Sequence, residues 1–373
     1  MDVGGTLPGP NRLLLVLPDE ELVGKALRAG IAVWVVTDPR RHTSAWLGAV
    51  RRQAELVLVR DGRVADVAAR TARRHGIAHV LPSEYGVAGR SSARQLADTA
   101  AMRRLLHEND HPVVRCQQAD SVTEVVALLR RFGFPSVVRS AAEPPVLLHD
   151  HNAVRRWAGT GRSGPWLVEE YLVGPQVVVS TLTVDGMHRV IGVTAKKSTD
   201  TAECDYVHPA ALCARDQALV AAAVTAMLDL ADHEFGPAQT TVVLTANGPC
   251  VVSSGVSPQR HRIPRLIELA SGFDPETELL RALNGEPITP PTTNRCAALG
   301  TLSTRGDRVV SVTALAEATC LPGVSELHFR TGPRRRTPVE THGFVVVSGE
   351  SKAEVTDRLS RIRQLLEVRI RPA

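Results

Sequence analysis

Titratable side chains gather at a few places in this chain of 373 residues, and each place suits a different piece of chemistry. Lys196-Lys197 ends an apolar, strand-like run, and a lysine beside another cation can have a lowered pKa and act as base or nucleophile. His208 closes a dense titratable segment with Glu203, Asp205 and Tyr206, and imidazole is the natural proton carrier near neutrality. Arg260, His261, Arg262 and Arg265 form a cationic cluster suited to holding a carboxylate or phosphate. Residues 261 and 265 share one face of a helix, so the cluster need not converge. Glu84, in Pro82-Ser83-Glu84-Tyr85-Gly86, ends a strand of an open α/β sheet, where ligands of such sheets bind. Each has a plainer reading: a solvated lysine pair, a loop-shaping His-Pro-Ala, a dispersed surface cluster, a helix-start carboxylate.

The acids are as informative where they are missing. None occurs between Glu234 and Glu268, although 39 acids in 373 residues would put about 3.5 in those 33 positions. Central strands reject charge, which is the alternative explanation. Lys and Arg exceed Asp and Glu by a formal +5, but they are dispersed apart from Arg334-Arg335-Arg336 and the cluster after Pro258. With aromatics at 3% and no reading module, the excess fits a small anionic ligand better than nucleic acid. Six cysteines without a Cys-x-x-Cys pair or zinc-type His spacing are expected as free thiols in a reducing cytoplasm. No leader pattern or membrane-length apolar run is present, so a cytoplasmic protein is expected.

The elements that must position these groups alternate at first. Arg12 to Leu17, Ile31 to Thr37, Glu55 to Val59 and Ile77 to Pro82 read as strands, with helices from Glu20 to Ala29 and Val64 to His75, which predicts a parallel sheet. A helix is expected over Leu96 to Asn109, then an α+β lobe with strands at Val113 to Cys116, Ser136 to Ser140, Val146 to His149 and Trp166 to Tyr171. Helices at Ser121 to Phe132 and Asn152 to Ala158 belong to it. Asp185-Gly186 joins two long strands in a hairpin, a helix spans Arg215 to His233, and Asn247-Gly248 turns the acid-free hairpin. Ile263 to Ser271 and Lys352 to Leu366 are further helices. The expected division is an N-terminal open α/β domain over 1–95, a two-lobed core over 96–290 split near 171, and a strand-rich C-terminal domain over 291–373.

Several strings, in order, resemble the ATP-grasp superfamily, in its branch of amino-acid ligases that join a carboxylate to an amine. They are Ala97-Asp98-Thr99 with Met102-Arg103; Gly133 to Arg139 (GFPSVVR); Val168 to Leu172 (VEEYL) with Gly174-Pro175-Gln176; Val207-His208-Pro209-Ala210; Asn247-Gly248-Pro249; and Val256-Ser257-Pro258. The resemblance spans nearly the whole chain and implies the ATP-grasp fold, α/β and α+β together. It also implies a ligase that phosphorylates a carboxylate with ATP before amine attack, a task that is mostly electrostatic. By the resemblance Glu169, Glu170, Tyr171 and Leu172 form the adenine-binding hinge, and Gln176 stands at a ribose-binding position. Arg139 stands at a phosphate-contacting lysine, and Lys196, Glu203 and Arg262, with Glu84, border the substrate.

The residues depart from that pattern where charge matters most. Thr99 replaces the first phosphate lysine and Arg139 the second, and a planar guanidinium does not substitute for a point-charge ammonium. Ala141-Ala142-Glu143-Pro144-Pro145 replaces the glycine-rich phosphate loop, with two residues lacking N–H donors. The magnesium carboxylates fall at Thr241 and Gly255 and their asparagine partner at Ser257, while Gln259 or, by a one-residue slip, Arg260 takes the catalytic arginine position. The expectation is an ATP-independent enzyme acting on a small carboxylated substrate in natural-product or amino-acid metabolism. Lys197, His208 and Arg260 are its candidate catalytic residues, and it needs no metal or cofactor. A non-catalytic relative serving as partner subunit or sensor, and an unusual ATP- and magnesium-dependent ligase, are the alternatives. A homodimer stays open.

Overall fold

The computed structural model describes residues 11–60, 62–82, 95–140, 145–159, 164–198, 204–256, 262–302, 308–329, 332–333, 343–366 and 368–371. The chain opens with β1 (Arg12–Val16), α1 (Glu20–Arg28), β2 (Ala32–Thr37), α2 (Ser44–Arg51), β3 (Glu55–Leu58), α3 (Val64–His75) and β4 (His79–Leu81). These strands form the expected parallel sheet, in the order β3-β2-β1-β4. The sequence reading missed α2, whose eight residues carry one buried side chain, Val50, and so leave little periodic signal.

Helix α4 (Thr99–Glu108) is started by the Asp98 carboxylate, which accepts from the backbone N–H groups of Ala100 and Ala101. The small lobe follows: β5 (Cys116–Ala119), α5 (Val122–Phe132), β6 (Ser136–Ser140), β7 (Val146–Leu148), α6 (His151–Ala158) and β8 (Trp166–Glu170). Its sheet, ordered β5-β8-β6-β7, encloses a core of its own around Leu129, Val138, Trp157 and Trp166. Val113, expected to begin a strand, instead makes an isolated bridge to Val251, and the strand proper is the polar Cys-Gln-Gln-Ala. An edge strand is half in water, so it need not be apolar.

The second lobe is built on β9 (Gln176–Val184), β10 (Met187–Ser198), β11 (Cys204–His208), α7 (Ala214–Leu230), β12 (Gly236–Thr245), β13 (Gly248–Gly255), α8 (Ile263–Ser271) and α9 (Pro275–Leu283). Beyond it come β14 (Cys296–Leu302), β15 (Arg308–Val312), α10 (Leu315–Thr319), β16 (Val324–Phe329), β17 (Gly332–Pro333), β18 (Gly343–Gly349), α11 (Lys352–Leu365) and β19 (Val368–Arg371). Eight strands join in one sheet, β13-β12-β9-β10-β11-β14-β18-β16, so C-terminal strands extend the sheet of the large lobe through the β11–β14 pairing. β15, β17 and β19 form a separate small sheet.

One face of the large sheet packs Val177, Val242 and Val251 against Val220, Val224 and Met227 of α7 and Met102 and Leu106 of α4. The opposite face packs Val178, Leu182, Ile191 and Tyr206 against Leu266 and Ile267 of α8 and against Leu13, Leu15 and Leu22 of the N-terminal unit. The N-terminal unit therefore shares a core with the large lobe, while the small lobe hangs from residues 171–175. Among the described residues no helix is long and apolar enough to cross a membrane.

Candidate functional site

The hinge strand carries the most concentrated charge in the interior. Glu169 and Arg103 are each only 2% exposed, and Arg103 Nη2 donates to Glu169 Oε1 at 3.0 Å and to the Val252 carbonyl at 3.0 Å. Arg139 Nε donates to the other carboxylate oxygen, Oε2, at 2.7 Å. A single carboxylate is thus clamped between two guanidiniums, one from α4 and one from β6, and Arg103 also reaches β13 of the large lobe. Burial pulls the Arg103 guanidinium down, with the Arg139 charge adding to it and Glu169 opposing. Its Nε and Nη1 have no hydrogen-bond partner. Arg139, expected to meet phosphate, therefore spends its Nε on Glu169.

The rest of the hinge is more open. Glu170 Oε1 accepts from the Arg115 backbone N–H at 2.8 Å, Tyr171 is 39% exposed, and Leu172 is half-buried. Two thiols lie in the field of Arg103, Cys116 opposite Glu169 in the β5–β8 register and Cys250 on β13. Burial outweighs that field: the Cys116 thiol is pushed up, and Cys250 to about 11, so both are protonated and unreactive at neutral pH.

Strand register assigns the remaining candidates to faces. Cys250, Val243, Gln176, Lys196 and Tyr206 lie side by side across five strands, and the next row on that face is Ser253, Thr241, Val178, Thr194 and His208. Gln176 and Lys196 are direct cross-strand neighbours, and Lys196 is half-buried without a carboxylate partner among the described residues. Thr241, where the resemblance implies a magnesium carboxylate, and Ser253 beside it are half-buried hydroxyls. Gly255, at the second such position, is buried opposite Gln239. Among the described residues no group of three or more His, Cys, Asp or Glu side chains could hold a metal ion.

His208 lies on the same face but deep within it, 2% exposed beneath α8. Its Nδ1 and Thr194 Oγ1 are hydrogen-bonded at 3.1 Å, and Nε2 is buried without a partner. A Cβ added at Gly192 would stand 2.8 Å from the His208 ring and 3.0 Å from Ile267, so the glycine makes room for the imidazole. Burial lowers the His208 pKa to about 4, with the Val193 backbone opposing, and the ring is neutral at pH 7.

Lys197 alternates to the other face, exposed and opposite Asp205, whose carboxylate is held by Arg363 of α11. The lysine pair is thus divided by the sheet, and Lys196 is the member beside Gln176. Arg262 begins α8, donates from Nη1 to Glu326 Oε2 at 2.6 Å, and stacks 4.1 Å over the Phe344 ring, so its charge is already matched. Glu84, Glu203 and Arg260 lie outside the described residues, as do 141–144 of the string that replaces the glycine-rich phosphate loop.

Sequence reasoning used Arg103 only as a motif anchor. The available signal was a guanidinium on the apolar stripe of α4, next to Met102 and three residues before Leu106, where only a buried partner makes a charge tolerable.

No family model matches the chain, and no curated protein matches it. Its architecture is nevertheless similar from end to end to those of solved enzymes. The L-amino acid ligase from Bacillus licheniformis superposes with a TM-score of 0.74 at 16% identity, over 97% of this chain and 99% of that one. N5-carboxyaminoimidazole ribonucleotide synthetase from Thermotoga maritima gives 0.68 at 17%, over 97% and 100%. Glycinamide-RNase-transformylase T from Mycobacterium tuberculosis gives 0.66 at 14%, over 95% and 100%. The chain has the ATP-grasp fold, as the short strings in its sequence implied.

Proposed function

We propose that this chain keeps the cleft of an ATP-grasp ligase but has given up nucleotide activation, and transforms a small carboxylated substrate without ATP. The observation that carries the reading is that Thr241, a half-buried hydroxyl beside Ser253, and Gly255 stand where the resemblance implies the carboxylates of a metal-assisted phosphoryl transfer. This donor set, hydroxyls and a glycine in place of anionic oxygens, does not fit magnesium. Arg139 is tied to Glu169 rather than left for a triphosphate. Losing one preorganised donor costs about 3 to 4 kcal/mol of transition-state stabilisation, and here several are replaced together.

What remains suits recognition of one anionic group. Lys196, with Gln176 beside it, supplies an ammonium and an amide on one face of the sheet. Arg260, outside the described residues, is proposed as the second cation. His208, buried and neutral under α8 on the Lys196 face, is the proposed group for proton transfer; Lys197, on the opposite face, is kept only as a candidate that the substitution Lys197→Met tests. Amino-acid or natural-product metabolism in the cytoplasm is the setting this chemistry fits, with a homodimer as the proposed assembly.

Calorimetry of the full chain with ATP, with and without magnesium, tests the reading. The expected result is no binding that magnesium strengthens, and metal-tightened ATP binding would replace this reading with that of an ATP-dependent ligase. The buried His208 favours a second reading, a non-catalytic partner subunit or sensor. Single substitutions Lys196→Met, Lys197→Met, His208→Asn and Arg260→Met in a complementation assay separate the two. Full function in all four folded variants supports the partner role.

A further inference from the structure

A cavity of about 40 Å³ lies between the large sheet and the N-terminal unit. Its wall is apolar, with Leu22, Leu81, Ile191 and Leu279, each from a different element. Leu81 ends β4 and Leu22 lies in α1 just beyond β1, so the cavity sits at the carboxyl ends of the parallel strands. Four polar residues also line it: Glu276, Thr181, whose hydroxyl donates to the Ala238 carbonyl, and Ser180 and Gln239, cross-strand partners on β9 and β12. The last two are 3% and 8% exposed, and among the described residues both Ser180 Oγ and Gln239 Oε1 are buried without a hydrogen-bond partner. Leaving such atoms unpaired is unfavourable, and the wall contains little else to satisfy them.

We propose that this cavity is a binding site for a small, neutral aliphatic group bearing one amide or hydroxyl, which hydrogen-bonds Ser180 and Gln239 while its carbon chain packs on the leucines. Gln239 Oε1 accepts and the Ser180 hydroxyl can donate or accept, so the ligand group must offer a donor to the amide oxygen and can meet the hydroxyl in either role. One water needs roughly 10–15 Å³ of such space, so the cavity takes about three waters, or four to five heavy atoms held at bonded distances.

Charge at the rim sets the neutrality. Glu276 lines the cavity, and its carboxylate pairs with Lys25 at 3.0 Å. Lys25 also meets Asp274 at 2.8 Å and Glu21 at 3.2 Å, so one ammonium faces three carboxylates. The surplus negative field repels an anion, and the apolar wall penalises any full charge. The site is independent of whether the neighbouring cleft uses ATP.

Three matched probes test it: propionamide, 1-propanol and propionate, titrated into methyl-labelled full-length protein. The signals of Leu22, Ile191 and Leu279 should shift saturably with propionamide and 1-propanol, and propionate should bind at least about tenfold more weakly. Gln239→Leu should weaken propionamide about five- to tenfold, the effect of one uncharged hydrogen bond. No saturable shift in these methyls means that the cavity holds only water and overturns the site. Equal binding of propionate overturns its neutrality. Should Gln239→Leu fail to fold, the comparison of propionamide with propionate on the unaltered protein still decides, and Ser180→Ala repeats the hydrogen-bond test.

Discussion

At the scale of single residues, the interior shows how burial redirects groups that a sequence offers as reactive. Glu169 carries two arginines and is not free to meet a ligand; Arg103 is held by two acceptors from different lobes. His208 and His233 illustrate the same effect on imidazoles, since burial lowers each pKa to about 4, and His188 stacked on His233 adds to the second. An exposed imidazole in the unfolded chain titrates near 6.5, so between about pH 6.5 and 4 the unfolded state binds more protons than the folded one. Stability contributed by the two neutral rings is therefore complete above pH 6.5 and is lost as pH falls, by roughly 3 kcal/mol for each ring when both states are fully protonated. Denaturant unfolding at pH 7 and pH 5 should show a clearly lower midpoint at pH 5. His233→Asn should flatten that dependence, and an unchanged slope in the variant would show that the ring is not titrating as described.

At the scale of elements, the hinge between the lobes depends on one glycine. Gly174 has φ +150°, and a Cβ there would lie 2.0 Å from the Leu244 carbonyl oxygen, so a side chain must displace backbone. Gly174→Ala is expected to destabilise the chain by about 1 to 3 kcal/mol and to move the hinge, as in other overpacked sites. Its signature is faster hydrogen exchange at Leu244, whose N–H donates to the Pro175 carbonyl at 2.9 Å. Native exchange at that amide would mean the strand end adapts. The hinge was legible in the sequence because Val168 to Leu172 and Gly174-Pro175-Gln176 combine a buried strand with a turn. β11 was not: Cys-Asp-Tyr-Val-His mixes charge with apolar residues, and only the register reveals Asp205 and His208 on opposite faces of one strand. Lys196 and Lys197 were separated for the same reason, since a one-residue step in a strand changes the face. The cavity at Ser180 and Gln239 had no local signal at all, because its walls come from β4, α1, α9 and the large sheet, far apart in sequence.

At the scale of the whole molecule, the continuous eight-stranded sheet makes the C-terminal segment part of the large lobe's stability. β14 covers the edge of β11 over four residue pairs, and α11 lays Val355, Leu359 and Ile362 against Val207 and Ala298. Arg363 of the same helix holds Asp205 of β11 and the Thr301 carbonyl. A chain ending at residue 290 would expose β11 as an unpaired edge, leave Asp205 without its guanidinium, and uncover the apolar face of Val207. Bare edges of this kind invite association. Such a truncation is expected to be insoluble or to lose protection throughout β10 and β11, although the small lobe, with its own core, keeps its structure. Hydrogen exchange on the soluble fraction reads this directly: protected amides in β11 of the truncated chain would show that the sheet stands without its C-terminal half. The same continuity puts the face proposed for the site on one sheet with the C-terminal strands, because the rows through Lys196 and His208 run on through Leu299 and Ala297 into β14. A ligand held on those rows is therefore positioned by strands from both sides of the β11–β14 junction, and truncation should abolish its binding even where part of the chain still folds.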